Sequence, residues 1–178
     1  MNGELALAVP VDMPSADRLE ALFDAHEERL YRLARRLVQS PDDARDLVQE
    51  TFLRAAGSMK HVPISFSSEE AWLVRVLVNI QRDRWRRMAV RERAALPIGG
   101  ASASDPETAL MTKRAVWTAL DCLHPKRRAI VVMHELEGMP LARIASLLGV
   151  SHVTVQWHLS RGRGELRRLL QPLVGEIR

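Results

Sequence analysis

Apolar residues recur at intervals of three and four along nearly the whole chain, the spacing of one face of an α-helix, and no stretch alternates as a half-buried strand does. Leu19, Leu22, Phe23, His26, Leu30, Leu33, Ala34 and Leu37 form the first such stripe and predict a helix from Ala16 to Gln39 that turns them toward a core. Ser40-Pro41-Asp42-Asp43 is a start signal: a capping serine, proline at the first helical position and acids in the first turn. The helix it opens is expected to stop at Gly57. Residues 58–66, with Pro63, read as a loop. Ser67-Ser68-Glu69-Glu70 offers a capping box for a third helix from Ser68 to Glu92.

Residues 94–105, AALPIGGASASD, are small and flexible types and read as a linker. Beyond it, Pro106 opens a helix ending near Leu123, and Pro125 opens another that Gly138 can stop. Pro140 starts a short helix ending at Gly149, and Ser151 caps a long final one reaching Gln171, just before Pro172. The pattern is therefore all-α: two small helical domains, 16–93 and 106–172, joined by a flexible tether at 94–105.

The net charge of +4 is unevenly spread. Residues 1–74 carry 8 Lys/Arg against 13 Asp/Glu, whereas residues 75–93 carry 7 Arg against Asp83 and Glu92. Arg75, Asn79, Arg82 and Arg86 fall at spacings of 4, 3 and 4, so one amide sits in a column of guanidinium groups. Asparagine can pair with a base edge while arginines hold phosphates, and an exposed helix without such a role more often interleaves Glu. The opposite face, Leu73, Val76, Leu77 and Ile80, is apolar.

The sharpest local signal lies at 140–170. Leu141, Ile144, Ala145 and Leu148 give the short helix one apolar face, Gly149 supplies a tight turn, and the chain restarts after Ser151. This is the helix-turn-helix pattern, whose second helix reads DNA. Val155, Leu159, Leu166 and Leu169 are expected to face the core, with Gln156, Ser160 and Arg163 outward and Trp157 and Arg161 beside them. Two basic surfaces on two domains imply two DNA sites. Twelve linker residues span at most ~40 Å.

Other chemistry is set aside. The single cysteine, Cys122, excludes an intrachain disulfide and reads as a small core residue. The six histidines show no metal-ligand spacing, and His26 reads as a satisfied, semi-buried residue. Met88, Met111 and Met133 look like core packing, and Trp72, Trp85 and Trp117 like packing anchors. Gly162 and Gly164 are too isolated for a phosphate loop. No nucleophile, base and orienting group converge, so no enzyme, cofactor or metal is expected. The amino-terminal MNGELALAVPVDMP is not a secretory signal, and no run approaches a membrane span, which points to a cytoplasmic protein without membrane insertion. A helix-turn-helix regulator that dimerises or senses a signal through its first domain remains an alternative; a resolvase-type recombinase would need an α/β catalytic domain, and a decoy that only sequesters a partner would lack the basic 75–93 face.

The order of parts resembles the extracytoplasmic-function (ECF) group of bacterial sigma factors, the specificity subunits of RNA polymerase. The resemblance is carried by DARDLVQETFLRA (43–55), AWLVRVLVNIQRDRWRR (71–87), LHPKRRAIVVMHELEGMPLARIASLLGVS (123–151) and RGRGELRRLL (161–170). It implies sigma domain 2 followed by sigma domain 4, acting in promoter recognition and −10 melting. Asp46, Leu47, Gln49, Glu50 and Phe52 would dock on the β′ clamp helices of core polymerase. Arg75, Asn79, Arg82 and Arg86 would meet the −10 element, with His61 or Phe66 stacking on an unstacked base. Ser151, His152, Thr154, Gln156, Trp157, Ser160, Arg161 and Arg163 would form the −35 surface, and the rest of that domain would dock on the β flap. The group commonly has an anti-sigma factor as a further partner. Trp157 and His158 depart from the small polar residue and Arg that relatives commonly carry there, which removes a phosphate contact from that surface.

Overall fold

A computed structural model describes residues 15–94 and 108–175, and all regular structure among them is helical. Most of the expected linker, and the helix start at Pro106, lie outside the described residues. The helices are α1 (Ser15–Leu37), α2 (Pro41–Gly57), α3 (Phe66–Ala94), α4 (Thr108–Asp121), α5 (Pro125–Val131), α6 (Leu141–Leu148) and α7 (His152–Gly175). No helix among the described residues is long and apolar enough to cross a membrane.

The local signals act where the sequence puts them. Ser40 Oγ accepts from the Asp42 and Asp43 amides at 3.1 and 3.4 Å, with Pro41 in the first turn of α2. Gly149 takes φ 65° and ψ 39°, a left-handed conformation that a side chain resists, and so ends α6 and aims α7. Ser151 Oγ accepts the Thr154 amide at 3.1 Å and starts α7.

Several elements differ from expectation. The capping box does not form. Helix α3 begins two residues earlier, where the Ser65 carbonyl accepts the Ser68 and Glu69 amides at 2.9 and 2.8 Å. Both glutamates turn inward: Glu69 toward His26, Glu70 to the guanidinium groups of Arg29 and Arg143. The helix opened by Pro125 widens into a π-helical stretch at Val132–Leu136 before Gly138, at φ 64°, ends it. Helix α7 continues past Pro172 to Gly175, forgoing one backbone hydrogen bond.

Leu30 and Leu37 of α1, Leu47 of α2 and Leu73, Leu77 and Ile80 of α3 are fully buried. In the second half, Leu123, Ile130, Met133, Ile144, Leu147 and Val155 play the same part. The two sets belong to one continuous apolar cluster, because α3 packs on α5 and α6 as well as on α2. Phe23, Leu169, Met88 and Cys122, expected in the core, are exposed instead. Phe23 and Leu169 sit at the edges of their apolar stripes, where helical spacing alone does not distinguish core from rim. The side chain of Met111 lies outside the described residues.

Candidate nucleic-acid interface

Helix α3 turns Leu73, Leu77 and Ile80 into the core, which leaves the expected basic column on its outer side. Asn79 and Arg86 are exposed, and Arg75 and Arg82 are half-buried. No carboxylate among the described residues pairs with Arg75 or Arg86, and Arg82 Nε stands 3.7 Å from Asp83. Arg84 points the other way and donates to Glu50 Oε2 at 2.8 Å, tying α3 to α2. Beside the column a cleft of about 340 Å³ opens between α2 and α3, lined by Arg54, Gly57, Ser58, Trp72, Val76 and Asn79. Trp72, expected only as a packing anchor, packs against the core and also lines this cleft. Its spacing from Val76 and Asn79 was the signal that it shares their face.

The segment between α2 and α3 is held by a residue the sequence did not single out. Arg18 of α1 donates to the Met59, Val62 and Pro63 carbonyls at 3.2, 2.6 and 2.9 Å. No local motif announces such a clamp, because its three acceptors are backbone atoms more than forty positions away. Of the two candidate stacking residues, His61 is exposed at the end of a 3-10 turn. Phe66 opens α3, is 60% exposed, and lays one ring face on His26 at a centroid distance of 4.5 Å. His26 is fully buried rather than semi-buried: Nε2 meets Glu69 Oε2 at 3.3 Å, and Nδ1 has no partner.

On α7, Val155 and Leu159 are buried and Gln156, Ser160, Arg161 and Arg163 are exposed on the outer side, as the pattern predicts. His152 is exposed and Thr154 half-buried, while the Ser151 hydroxyl is engaged in capping. Arg163 is engaged by Glu135 at 2.6 Å. Trp157, 51% exposed, is flanked by the guanidinium carbons of Arg127 and Arg161 at 5.6 and 5.5 Å from its ring centroid. Both cations thus lie within cation–π range of the tryptophan ring. His158 lies behind it, and burial, then Lys126, Arg127 and His124, lower its pKa below 6.5.

The expected docking stretch on α2 divides in two. Asp46 and Gln49 are exposed; Leu47 is fully buried and Phe52 nearly so, because helical spacing turns both toward α1 and α3. Glu50 is bridged by Arg54 and Arg84 at 3.0 and 2.8 Å; burial raises its pKa, but the two cations outweigh it and the net shift is downward. Between α1 and α2 runs an apolar groove of about 560 Å³, lined by Phe23, Tyr31, Val48, Gln49, Phe52 and Leu53 among others. Phe23 and Phe52 meet in it at 4.8 Å, and Leu53 is 65% exposed on its rim.

Residues 22–91 match the Sigma-70 region 2 family, and residues 113–166 match Sigma-70, region 4. The chain is 38% identical over 166 residues to the ECF RNA polymerase sigma factor SigE of Mycolicibacterium smegmatis, covering 89% of this chain and 62% of that one. It is 34% identical to the ECF RNA polymerase sigma factor SigM of Mycobacterium tuberculosis, over 85% of this chain and 76% of the relative. With the RNA polymerase sigma-E factor of Streptomyces avermitilis, identity is 32% over 85% and 84% of the two chains. Solved structures that share the fold include two complexes whose matched chains are of similar size. One is the sigma factor RpoE of Bartonella quintana in complex with the anti-sigma factor NepR, with TM-score 0.54 and 23% identity over 88% of this chain and 96% of that one. The other is CnrH in complex with the cytosolic domain of CnrY, with TM-score 0.57 and 24% identity over 88% and 90%.

Proposed function

Since the chain belongs to the ECF RNA polymerase sigma factors, we propose that it binds core RNA polymerase, brings it to a −35/−10 promoter pair and melts the −10 region. It acts in the cytoplasm by binding, not by catalysis. Residues 16–93 form the polymerase-binding and −10 domain, and residues 106–172 the −35 domain that also docks on the β flap. An anti-sigma factor, such as NepR in the RpoE complex, is the expected regulator.

The observation that carries this reading is Asn79, exposed at the mouth of the cleft beside Trp72 and flanked on its own helix by Arg75 and Arg82. Single-stranded DNA is held by cations along the backbone and by aromatic rings under the bases, each stack contributing ~1–3 kcal/mol. That gain offsets unpairing. Trp72 and Asn79 then form the base pocket, and Phe66 offers its outer ring face to a neighbouring base. On α7, Gln156, Trp157, Ser160 and Arg161 face the −35 major groove; Trp157 suits the methyl group of a thymine. Polymerase docking falls to Asp46, Gln49 and Glu50 and to the groove rim at Phe23 and Leu53, with Leu47 and Phe52 supporting them from below.

The test is in vitro transcription with purified core polymerase on a panel of promoter fragments. Wild type should form a stable complex and yield a specific transcript. Asn79→Ala should weaken open-complex formation while core binding persists. Asp46→Ala with Gln49→Ala should weaken core binding first. Absence of both complex and transcript with the wild type would overturn the assignment.

A further inference from the structure

A polar pair is buried beneath the exposed ring of Phe66. His26 stands on the apolar stripe of α1 between Leu22 and Leu30, where a leucine would continue the pattern, and is 1% exposed. Its Nε2 meets Glu69 Oε2 at 3.3 Å, and Glu69 itself is 9% exposed. Stability does not account for the pair, because replacing a buried pair by apolar residues of similar volume is often neutral or stabilising. Departures from local pattern of this kind gather at functional sites. We propose that His26 and Glu69 are positioning residues: they hold the Phe66 ring as a fixed platform on which one base of the opened −10 strand stacks. This rests on the function proposed above, which supplies the strand; the support of the ring is an addition to it.

Glu69 follows Phe66 by three positions, so both lie on one face of the first turns of α3. The carboxylate therefore fixes the imidazole under the aromatic ring: the ring centroids are 4.5 Å apart and the planes are inclined by 31°. One face of Phe66 is thus covered by His26, while the residue as a whole stays 60% exposed. The backbone leading into it is fixed as well, since Arg18 holds the Val62 and Pro63 carbonyls at 2.6 and 2.9 Å. Without these supports Phe66, the first residue of a helix, would turn freely in water. An ordered ring spares a bound base the cost of immobilising it, about two- to tenfold in affinity for one side chain. Asn79 lies thirteen positions further along α3, about 20 Å away, so the base on Phe66 is not the base at Asn79. The two contacts can be lost one at a time.

The support is tested by the affinity of the holoenzyme for a short fluorescent single strand taken from the −10 region of a promoter it transcribes. His26→Gln can still reach Glu69 but has no ring to offer. It should weaken binding of the strand about two- to tenfold, with affinity for core polymerase unchanged. Phe66→Ala should weaken it about 5- to 150-fold, and adding His26→Gln to that variant should change nothing further. Glu69→Leu should match His26→Gln, whereas Glu69→Gln, which keeps an acceptor for Nε2, should bind as wild type does. A purely structural His26 would lower the thermal midpoint and leave strand affinity alone, or weaken binding by the same factor with and without Phe66. Either result would overturn the proposal. Unchanged affinity in Phe66→Ala, with Asn79→Ala still defective, would overturn the platform and leave the proposed function standing. A wild-type holoenzyme that does not hold the strand would overturn the proposed function itself.

Discussion

Two glycines two residues apart on α7 should respond in opposite ways to the same substitution. Glycine in a helix interior is less favourable than alanine by ~0.5–1 kcal/mol. A Cβ on Gly164 would meet nothing within 4 Å, so Gly164→Ala should stabilise the protein by about that amount. A Cβ on Gly162 would fall 2.7 Å from Val131 Cγ2, about 1 Å inside ordinary carbon–carbon contact. Val131 is buried and cannot swing into solvent. Overpacking of this kind costs ~1–3 kcal/mol. The propensity gain is common to both sites, so the gap between the two variants is the overpacking itself, ~1–3 kcal/mol, and Gly162→Ala should be destabilising on balance. Urea unfolding of the full chain, followed by tryptophan fluorescence, measures both. A cycle with Val131→Ala isolates the contact: in that background Gly162→Ala should become nearly as favourable as Gly164→Ala. If Gly162→Ala stabilises wild type as much as Gly164→Ala does, α7 does not approach α5 this closely, and the aim of the recognition helix is set by something else.

The remaining expectations concern acid and the 58–65 loop. His124 has its pKa lowered below 6.5 by burial, then by Arg127, Arg86, Arg82 and Lys126, and His158 is lowered likewise. The groups around His124 are Trp85, Arg82 and Arg86 of α3, Lys126 and Arg127 of α5 and His158 of α7. Its Nδ1 also accepts the Lys126 amide at the start of α5. The unfolded chain therefore takes up protons at these sites more readily than the folded one, so stability falls as pH drops below about 6.5, until the lower folded-state pKa values are passed. Thermal midpoints between pH 7.5 and 5 should show this slope, and His124→Asn with His158→Gln should flatten it; an equal slope in the variant would refute the assignment. Arg18→Ala should cost ~1–3 kcal/mol through loss of charge-assisted bonds to three carbonyls. Its signature is faster amide exchange at 58–65 with α5–α7 unchanged; uniform loss of protection would mean that Arg18 does not act on the loop.

Much of the fold was legible because helices are coded locally. Ser40 with Pro41, Gly149 and Ser151 each specify a boundary through the conformation of a few bonds, and the threefold and fourfold spacing of Leu30, Leu33, Leu37, Leu73, Leu77 and Ile80 identifies the buried faces without knowledge of what covers them. The column from Arg75 to Arg86 and the outward side of α7 were legible for the same reason, since periodicity assigns the polar face along with the apolar one. Positions at the margin of a stripe were not. Phe23 and Cys122 have buried neighbours and Leu169 follows a half-buried Leu166, yet these three and Met88 are themselves exposed, because cover depends on the partner helix.

What required the tertiary structure were the partners of side chains and carbonyls far apart in sequence. Local spacing assigns Glu69 and Glu70 to a capping box, but a buried His26 and two arginines from α1 and α6 compete for them, and a charge-assisted bond in a buried site outweighs a cap made at a helix end in water. The Arg18 clamp, the Trp72 cleft and the packing of α6 on α3 belong to the same class. The amino-acid sequence alone determined the helices, their order and which faces carry charge, because those depend on neighbours within a turn or two. The tertiary structure alone decided which charges meet and which face is covered, because such pairings depend on how the helices pack, and no short window of residues contains that.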